Sequence, residues 1–439
     1  MPQTLDAWLA HIEGLHHRSV DLGLERVRAV AARMGLALEA ACILVGGTNG
    51  KGSTCAMLEA IYRAAGYRVG RYGSPHLLDF CERAQVDGRP AAEDELAAQF
   101  ARVEQARGDT TLTYFEFSTL AVLSLFAARR LDVAVLELGL GGRLDAVNIV
   151  DADCAIVTTV DLDHTDLLGA TREQIGWEKA HIFRAGRPAV CVDPDPPSTL
   201  IEYARGIGAS LRLLGPDFAV ELPPGATGRR QWNYRSSRPL GSRQSLPWPA
   251  LRGTHQLRNA AGALAVIEAL EGALPVHQQA VRQGLAGVQL AGRFQVVPGR
   301  PAVILDVAHN PQAARALAQA LQEHASLGSW PQDAAPGGST LAVFGMLRDK
   351  DARAVVQELQ ARVDCWHLAS TSGERGLSAR DLRQTAFGAP SSAPCACHDS
   401  VAEALQAALS EATTDDRIVV FGSFVIVADA MRCLERRSG

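Results

Sequence analysis

The stretch "GGTNGKGST" at residues 46–54 constrains the fold more than any other feature of the chain. It follows the apolar run "CILV" and precedes "STCAMLEAIYRAAG", which sets Met57, Ile61 and Ala64 on one helical face before Gly66 stops the helix. Strand, glycine loop and helix in that order predict a phosphate loop. Such a loop aims backbone N–H groups at phosphate oxygens, its lysine adds charge, and its glycines permit close approach. The standard pattern has Ser or Thr directly after the lysine; here Gly52 intervenes, so Ser53 or Thr54 must take that part. Thr48, Asn49, Gly50, Lys51, Gly52 and Ser53 are the nucleotide-binding candidates.

The remaining pattern is α/β. "YRVGRYGSP" reads as a strand stopped by Gly73 and Pro75, and "FSTLAVLSLFAARR" as a helix leading into the strand "VAVLEL". "CAIVTTV" and "PAVCV" continue a series of mostly apolar runs, as parallel strands buried on both faces require. Residues 222–253, rich in Pro, Gly, Ser and Arg, read as a long excursion with a hairpin, and helices are predicted over 255–270 and 276–285. "AGRFQVVPGR" at 291–300 marks a hinge. Beyond it, "AVILDV", "TLAVFGM", "CWHLAS" and "RIVVFGSFVIV" are predicted strands, alternating with helices such as 312–324 and 401–412. A chain of 439 residues exceeds what one core usually organises. The expected division is a phosphate-loop and substrate domain over 1–290 with a mostly parallel sheet, and a smaller Rossmann-like α/β domain over 291–439.

Composition mainly excludes. A formal net charge of -5 argues against a nucleic-acid partner, and 47% hydrophobic with 21% charged residues is ordinary for a soluble protein. The longest apolar stretch, "TLAVLSLFAA", stops at Arg129, short of the ~20 residues a membrane helix needs. The first thirty residues hold no apolar core of a secretory signal, so no membrane and a cytoplasmic location are expected. The nine cysteines form no CxxC pair and read as reduced, mostly buried thiols. "CACH" (Cys395–His398) is a weak metal signal, its alternative a loop near the surface.

Several further positions suit phosphate and metal chemistry. Glu137 ends the strand "VAVLEL", where ligands of parallel sheets gather, and its oxygens suit Mg²⁺. His164 in "DLDHTD" and Ser74 after "RVGRY" reach the same crevice. Asp306 and His309 in "LDVAHNP" likewise end a strand. Lys179 in "WEKAHIF" is different: an ammonium cannot bind Mg²⁺ and would pair with phosphate or a carboxylate.

Taken in order, "GTNGKGS", "YGSPHLLDFCERAQVDG", "TYFEFSTLA", "LELGLGGRLDAVN", "TTVDLDHTDLLG", "EKAHIF", "GTHQLRNAAGALA", "GRFQ", "DVAHNP" and "FGSF" run across nearly the whole chain. This series closely resembles the bifunctional dihydrofolate synthase/folylpolyglutamate synthase family, one of the Mur-type ATP-dependent amide-bond ligases. The resemblance implies a Mur-ligase-type ATPase domain, ATP with two Mg²⁺ ions, and addition of L-glutamate to dihydropteroate and to reduced folates by a monomer. Ser74, Glu137 and His164 match its Mg²⁺ positions, and Lys179 matches a lysine that is carbamylated, becoming an oxygen donor. Asn259, Arg293 and Asp306 are implied for ATP, with Arg293 carried onto the transferring phosphoryl group as the domains close. Thr113, Phe115, Asp145 and Ala146 are implied for the pterin substrate, and His309 and Ser423 for the incoming glutamate. Phe115 can stack on a planar ring and Asp145 can accept pterin N–H groups. The chain departs from the family at Val147, usually threonine, and at Asp79, Phe80 and Cys81. A monofunctional folylpolyglutamate synthase is the nearest alternative. A cell-wall Mur ligase is not expected, since only 45 residues precede Gly46. A nucleotide-dependent switch would need neither "DVAHNP" nor "GRFQ".

Overall fold

The computed structural model describes residues 2–223, 231–239, 241–326, 338–388 and 395–438. It divides into two compact units, Met1–Ala250 with Gln256–Gln289, and Leu251–His255 with Leu290–Gly439.

The first unit is built on eight strands: β1 (Ala41–Gly46), β2 (Val69–Tyr72), β3 (Ala84–Val86), β4 (Arg89–Pro90), β5 (Val133–Glu137), β6 (Cys154–Val157), β7 (Pro188–Cys191) and β8 (Ser210–Leu213). They are ordered β4-β3-β2-β5-β1-β6-β7-β8, parallel from β2 to β8, with β3 and β4 antiparallel at one edge. Every residue of β5 is buried, the pattern of a strand covered on both faces. The helix Lys51–Ala64 lies close against the helix Gln278–Gly287, where a Cβ on Gly284 would stand 2.5 Å from the Ile61 Cα. Only glycine allows that approach. The apolar stretch before Arg129 proves to be a core helix, Tyr114–Arg129, buried without a break from Glu116 to Phe126. That surrounding protein explains why it is apolar all round. Among the described residues no helix is long and apolar enough to cross a membrane. The excursion after Leu222 supplies two strands, β10 (Gln231–Ser236) and β11 (Arg243–Pro247), paired as a hairpin, which joins the preceding strand β9 (Phe218–Glu221) in a small antiparallel sheet; residues 224–230 and 240 lie outside the described residues.

The second unit carries a six-stranded sheet. Its strands are β12 (Gln295–Val297), β13 (Ala302–Leu305), β14 (Thr340–Phe344), β15 (Cys365–Ala369), β16 (Cys395–His398) and β17 (Arg417–Phe421), ordered β12-β13-β17-β14-β15-β16. All pairs are parallel except β12 with β13. Phe344 and Phe421 stack at 4.8 Å, and Trp366 stands edge-on to Phe344 at 5.7 Å.

Three local expectations are corrected. "RIVVFGSFVIV" is not one strand: β17 ends at Phe421, Gly422 turns at φ 119°, and Phe424–Ser438 is a helix. Alternation of apolar residues could not separate the two, and Gly422 was the available signal. Residues 295–297 within the expected hinge form the edge strand β12. "CACH" is the strand β16, not a loop, because its backbone pairs with β15 from Trp366 to Ala369.

Candidate active site

The loop after β1 is braced from the segment after β6. Thr48 N–H donates to the Thr159 carbonyl at 2.6 Å, and the Thr48 hydroxyl donates to the Asp161 carbonyl at 3.1 Å. Thr158 Oγ1 donates to the Asn49 carbonyl at 2.6 Å, and Asn49 N–H to Thr159 Oγ1 at 3.2 Å. A Cβ on Gly47, at φ 141°, would overlap Thr158 Oγ1, and one on Gly50, at φ 89°, would lie 2.6 Å from Asn259 Oδ1. Both glycines are therefore obligatory, and Asn259 is placed directly on the loop. Gly50 starts the helix; Lys51 is its first residue and curls back, its Nζ donating to the carbonyls of Gly47 (3.1 Å) and Thr48 (3.3 Å). Gly52 follows in the first turn, with Ser53 and Thr54 buried behind it. Among the described residues Thr54 Oγ1 is a buried hydroxyl with no hydrogen-bond partner. A buried polar atom left so is costly unless a ligand or water serves it.

Around this helix start lie the acidic and lysine positions. Glu137, 6% exposed, ends β5 beside Val45 of β1. Its Oε2 would be 3.3 Å from a Cβ on Gly73, which places Ser74 at the neighbouring strand end. Lys179 is 3% exposed in the helix Arg172–Ala180, and Gly142 packs so closely that its Cβ would stand 2.9 Å from the Lys179 Cα. Burial, then the Lys51 charge, pulls the Lys179 ammonium down to about 7, against Asp163, Asp145 and Glu178. His164 sits at the rim at φ 52°, more exposed than the others; its N–H donates to Asp163 Oδ1 at 2.9 Å.

The substrate candidates line the adjoining loops. Phe115 is half-buried, stacked on Tyr72 at 6.3 Å, and touches Gly139, where a Cβ would lie 2.6 Å from its ring. Thr113 caps the helix Tyr114–Arg129, its Oγ1 accepting from Glu116 N–H while Glu116 accepts from Thr113 N–H. Asp145 is 3% exposed and its oxygens accept from Leu140 N–H (2.7 Å) and Val147 N–H (2.9 Å). Burial pushes its carboxyl up to about 6, opposed by those N–H groups and Lys51. Ala146 and Val147 are buried in the turn it caps. The unusual Asp79, Phe80 and Cys81 have structural work: Asp79 caps the turn Phe80–Arg83, and Phe80 and Cys81 face the core.

The second unit gathers its own set. Asp306 follows β13, and Ser423 follows the neighbouring β17. Asp306 accepts from Phe294 N–H and Ala308 N–H, both at 2.8 Å, which ties it to the loop bearing Arg293. Burial raises its carboxyl above the ordinary range, against the pull of Arg293. The Arg293 guanidinium lies 5.2 Å from the centre of the Phe424 ring, and His309 stands 6.3 Å from that ring. His309 Nδ1 faces the Val307 carbonyl at 2.8 Å; since a carbonyl only accepts, Nδ1 carries the proton. Ser423 Oγ accepts from Ile426 N–H at 3.2 Å, capping the helix Phe424–Ser438.

Sequence reasoning took only His164 from "TTVDLDHTD". Thr158, Thr159, Asp161 and Asp163 from the same stretch hold the loop or bias Lys179. Their clustering after one strand was the signal.

A glycine cradle at a helix start with a lysine, and Glu137 at the adjoining strand end, make a nucleotide site, and the fold that carries it is that of the Mur-type ATP-dependent ligases. Accordingly, the model of the Mur ligase middle domain matches residues 45–267, and that of the Mur ligase, glutamate ligase domain matches residues 292–424. The dihydrofolate synthase/folylpolyglutamate synthase of Escherichia coli (strain K12) is 44% identical over 437 residues, covering 99% of this chain and 97% of that protein. Escherichia coli FolC in complex with DHPP and ADP superposes with a TM-score of 0.90 at 43% identity, covering 100% of both chains. A bifunctional folylpolyglutamate synthase/dihydrofolate synthase with Mn, AMPPNP and L-glutamate bound gives a TM-score of 0.88 at 44% identity, covering 99% of each chain. The chain belongs to the dihydrofolate synthase/folylpolyglutamate synthase family and is a ligase of folate metabolism.

Proposed function

We propose that this chain joins L-glutamate to two acceptors, the carboxylate of dihydropteroate and the γ-carboxylate of reduced folates, with ATP consumed at each addition. One observation carries the reading: Gly47 and Gly50 leave no room for a side chain where Lys51, Asn259 and the Glu137 strand end converge. An amine does not displace hydroxide from a carboxylate at useful rates. An acceptor oxygen therefore attacks the γ-phosphorus of ATP, the bond to ADP breaks, and an acyl phosphate forms. The glutamate amine then attacks the acyl carbon, losing a proton, and phosphate departs with the C–O bond.

The helix N-terminus and Lys51 bind the triphosphate and offset its charge. Asn259 fixes the loop edge. Arg293 and Asp306 complete the nucleotide site during turnover, Arg293 acting on charge that develops in transfer. Phe115 stacks on the pterin, while Thr113, Asp145 and Ala146 shape the loops beside it. His309 and Ser423 receive the glutamate.

Mg²⁺ supplies neutralisation of phosphate charge, and two ions would be held by Ser74, Glu137, His164 and Lys179, with the hydroxyl of Ser53 or Thr54 from the loop. The hard oxygen donors of Glu137 and these hydroxyls fit that ion. An ammonium at Lys179 does not; a carbamate does. Burial that lowers Lys179 to about 7 supplies the neutral amine that adds to carbon dioxide. Nine thiols, none in a disulfide, support action in the cytoplasm, and the family likeness supports a monomer.

Phosphate release measured with ATP, L-glutamate and either dihydropteroate or a reduced folate tests the reading. Glutamate-dependent release with both acceptors is expected. Release with the folate alone would reduce the enzyme to a folylpolyglutamate synthase, and release without glutamate would overturn the ligase reading of the site.

A further inference from the structure

On the second unit's sheet, Cys365 and His367 alternate along β15 and so share one face, the face on which the helix Val401–Glu411 packs. His367 is 2% exposed. Its Nε2 lies 3.8 Å from Cys365 Sγ and 3.3 Å from Glu411 Oε2, and the three ligand atoms all fall within 4.8 Å of one another. Glu411 is the last residue of its 11-residue helix, where the carbonyl ends favour a cation. The other ring nitrogen, Nδ1, faces His398 Nε2 at 3.2 Å.

We infer that Cys365, His367 and Glu411 form a zinc-type metal site, with His398 as the partner that orients His367. The donor set is thiolate, imidazole and carboxylate, the mixture zinc accepts, with a fourth position left to solvent on the exposed Glu411 side. The two spacings from Nε2 agree with that ion. Tetrahedral zinc, from its usual bond lengths, sets nitrogen and sulfur about 3.6 Å apart and nitrogen and oxygen about 3.4 Å apart. His367 binding through Nε2 carries its proton on Nδ1, and His398 Nε2 stands where it accepts that proton, as outer partners of ligating histidines do. The sequence signal "CACH" therefore contributes one residue only, His398. Cys397 points the other way, its Sγ 3.6 Å from the Ala379 carbonyl. Cys365 opens β15, at the end of the parallel sheet opposite to Asp306 and Ser423, so the ion is a clamp between strand and helix rather than part of the ligase chemistry.

The competing arrangement has no metal: the Cys365 thiol donates to Glu411, and the two imidazoles share protons. Titrating the full-length chain with Co²⁺ in excess Mg²⁺ separates the two, because a thiolate-to-cobalt charge-transfer band arises only at a cysteine site. One equivalent of Co²⁺ is expected to give that band, Zn²⁺ to abolish it, and Zn²⁺ to raise Tm. Cys365→Ser should lose the band. Glu411→Gln, at an exposed helix end where folding is not at stake, should keep the band but bind weaker, and His398→Gln should weaken binding about 10–100-fold. Cys397→Ser should change nothing. No band in the wild-type chain, or a band that survives Cys365→Ser or disappears with Cys397→Ser, overturns the assignment.

Discussion

At the ends of β1, β5 and β6, the residues proposed to meet phosphate are held by groups from elsewhere in the unit: Thr158, Thr159 and Asp161 brace the loop, and Asn259 closes on Gly50. At the ends of β13 and β17, Asp306 and Ser423 instead hold their own surroundings, one bonded to the loop of Phe294 and the other capping the next helix. The first arrangement separates support from chemistry; the second merges them. Substituting the phosphate-loop lysine should therefore change activity without stability, whereas substituting Asp306 or Ser423 should change both.

Lys51→Met is the largest test of that contrast. Among the described residues the hydrogen bonds from Lys51 Nζ go to carbonyls of its own loop, so Tm should move little while kcat/KM falls about 10²–10³-fold, the range for removing a positioned charge donor. Steady-state phosphate release beside thermal unfolding checks it. A large drop in Tm would show that the lysine also holds the loop, and the contrast would fail. Gly50→Ala tests the supporting side instead: at φ 89° and against Asn259, the added methyl should cost about 1–3 kcal/mol of local strain and abolish nucleotide binding together.

Lys179 comes next, through pH. Its ordinary pKa, kept in the unfolded chain, is 10.5 and burial brings the folded value to about 7, so between these the unfolded chain holds a proton that the native unmodified protein lacks. Stability of the carbon dioxide-depleted protein should rise as pH climbs from about 7 towards 10.5 and be lowest below 7. Lys179→Met should remove that slope. Activity of the depleted enzyme should return on adding bicarbonate, faster above pH 7 than below, because only the neutral amine reacts. Full activity with carbon dioxide excluded would sink the carbamate.

These outcomes bear on how far the sequence could be read. The phosphate loop, Glu137 and the alternation of strands with helices were legible because each rests on local order: glycines after an apolar run, or a charge at a run's end. Gly422 was not read as a turn, since the Gly345 carbonyl, which stands where a Cβ on Gly422 would be, is 77 residues away in sequence. The edge strand β12 was hidden in a segment whose glycines and proline looked like a hinge. Nor could spacing reveal that Thr113 and Asp145 brace their own loops, because the N–H groups that they serve become visible only once the backbone is placed.

Asp306→Asn probes the merged arrangement. The amide keeps one acceptor for two N–H donors, so Phe294 or Ala308 loses its partner, at a cost of about 1–3 kcal/mol. Denaturant unfolding should register that loss while KM for ATP rises. A higher KM with unchanged stability would mean that the carboxylate is not what holds the Arg293 loop, and would move Asp306 into the class of Lys51.

Ser423→Ala carries the smallest effect and the finest discrimination. Removing a serine N-cap costs about 1 kcal/mol, so Tm should fall slightly whatever else the hydroxyl does. The informative variant is Ser423→Asp. An aspartate caps a helix as well as serine does and should restore the lost stability, but it sets a negative charge where the anionic glutamate is proposed to arrive. Restored Tm with a raised KM for L-glutamate and an unchanged KM for ATP places the amino acid at this helix start. Restored Tm with both constants unchanged makes Ser423 a cap and nothing more, and the glutamate site then rests on His309 alone.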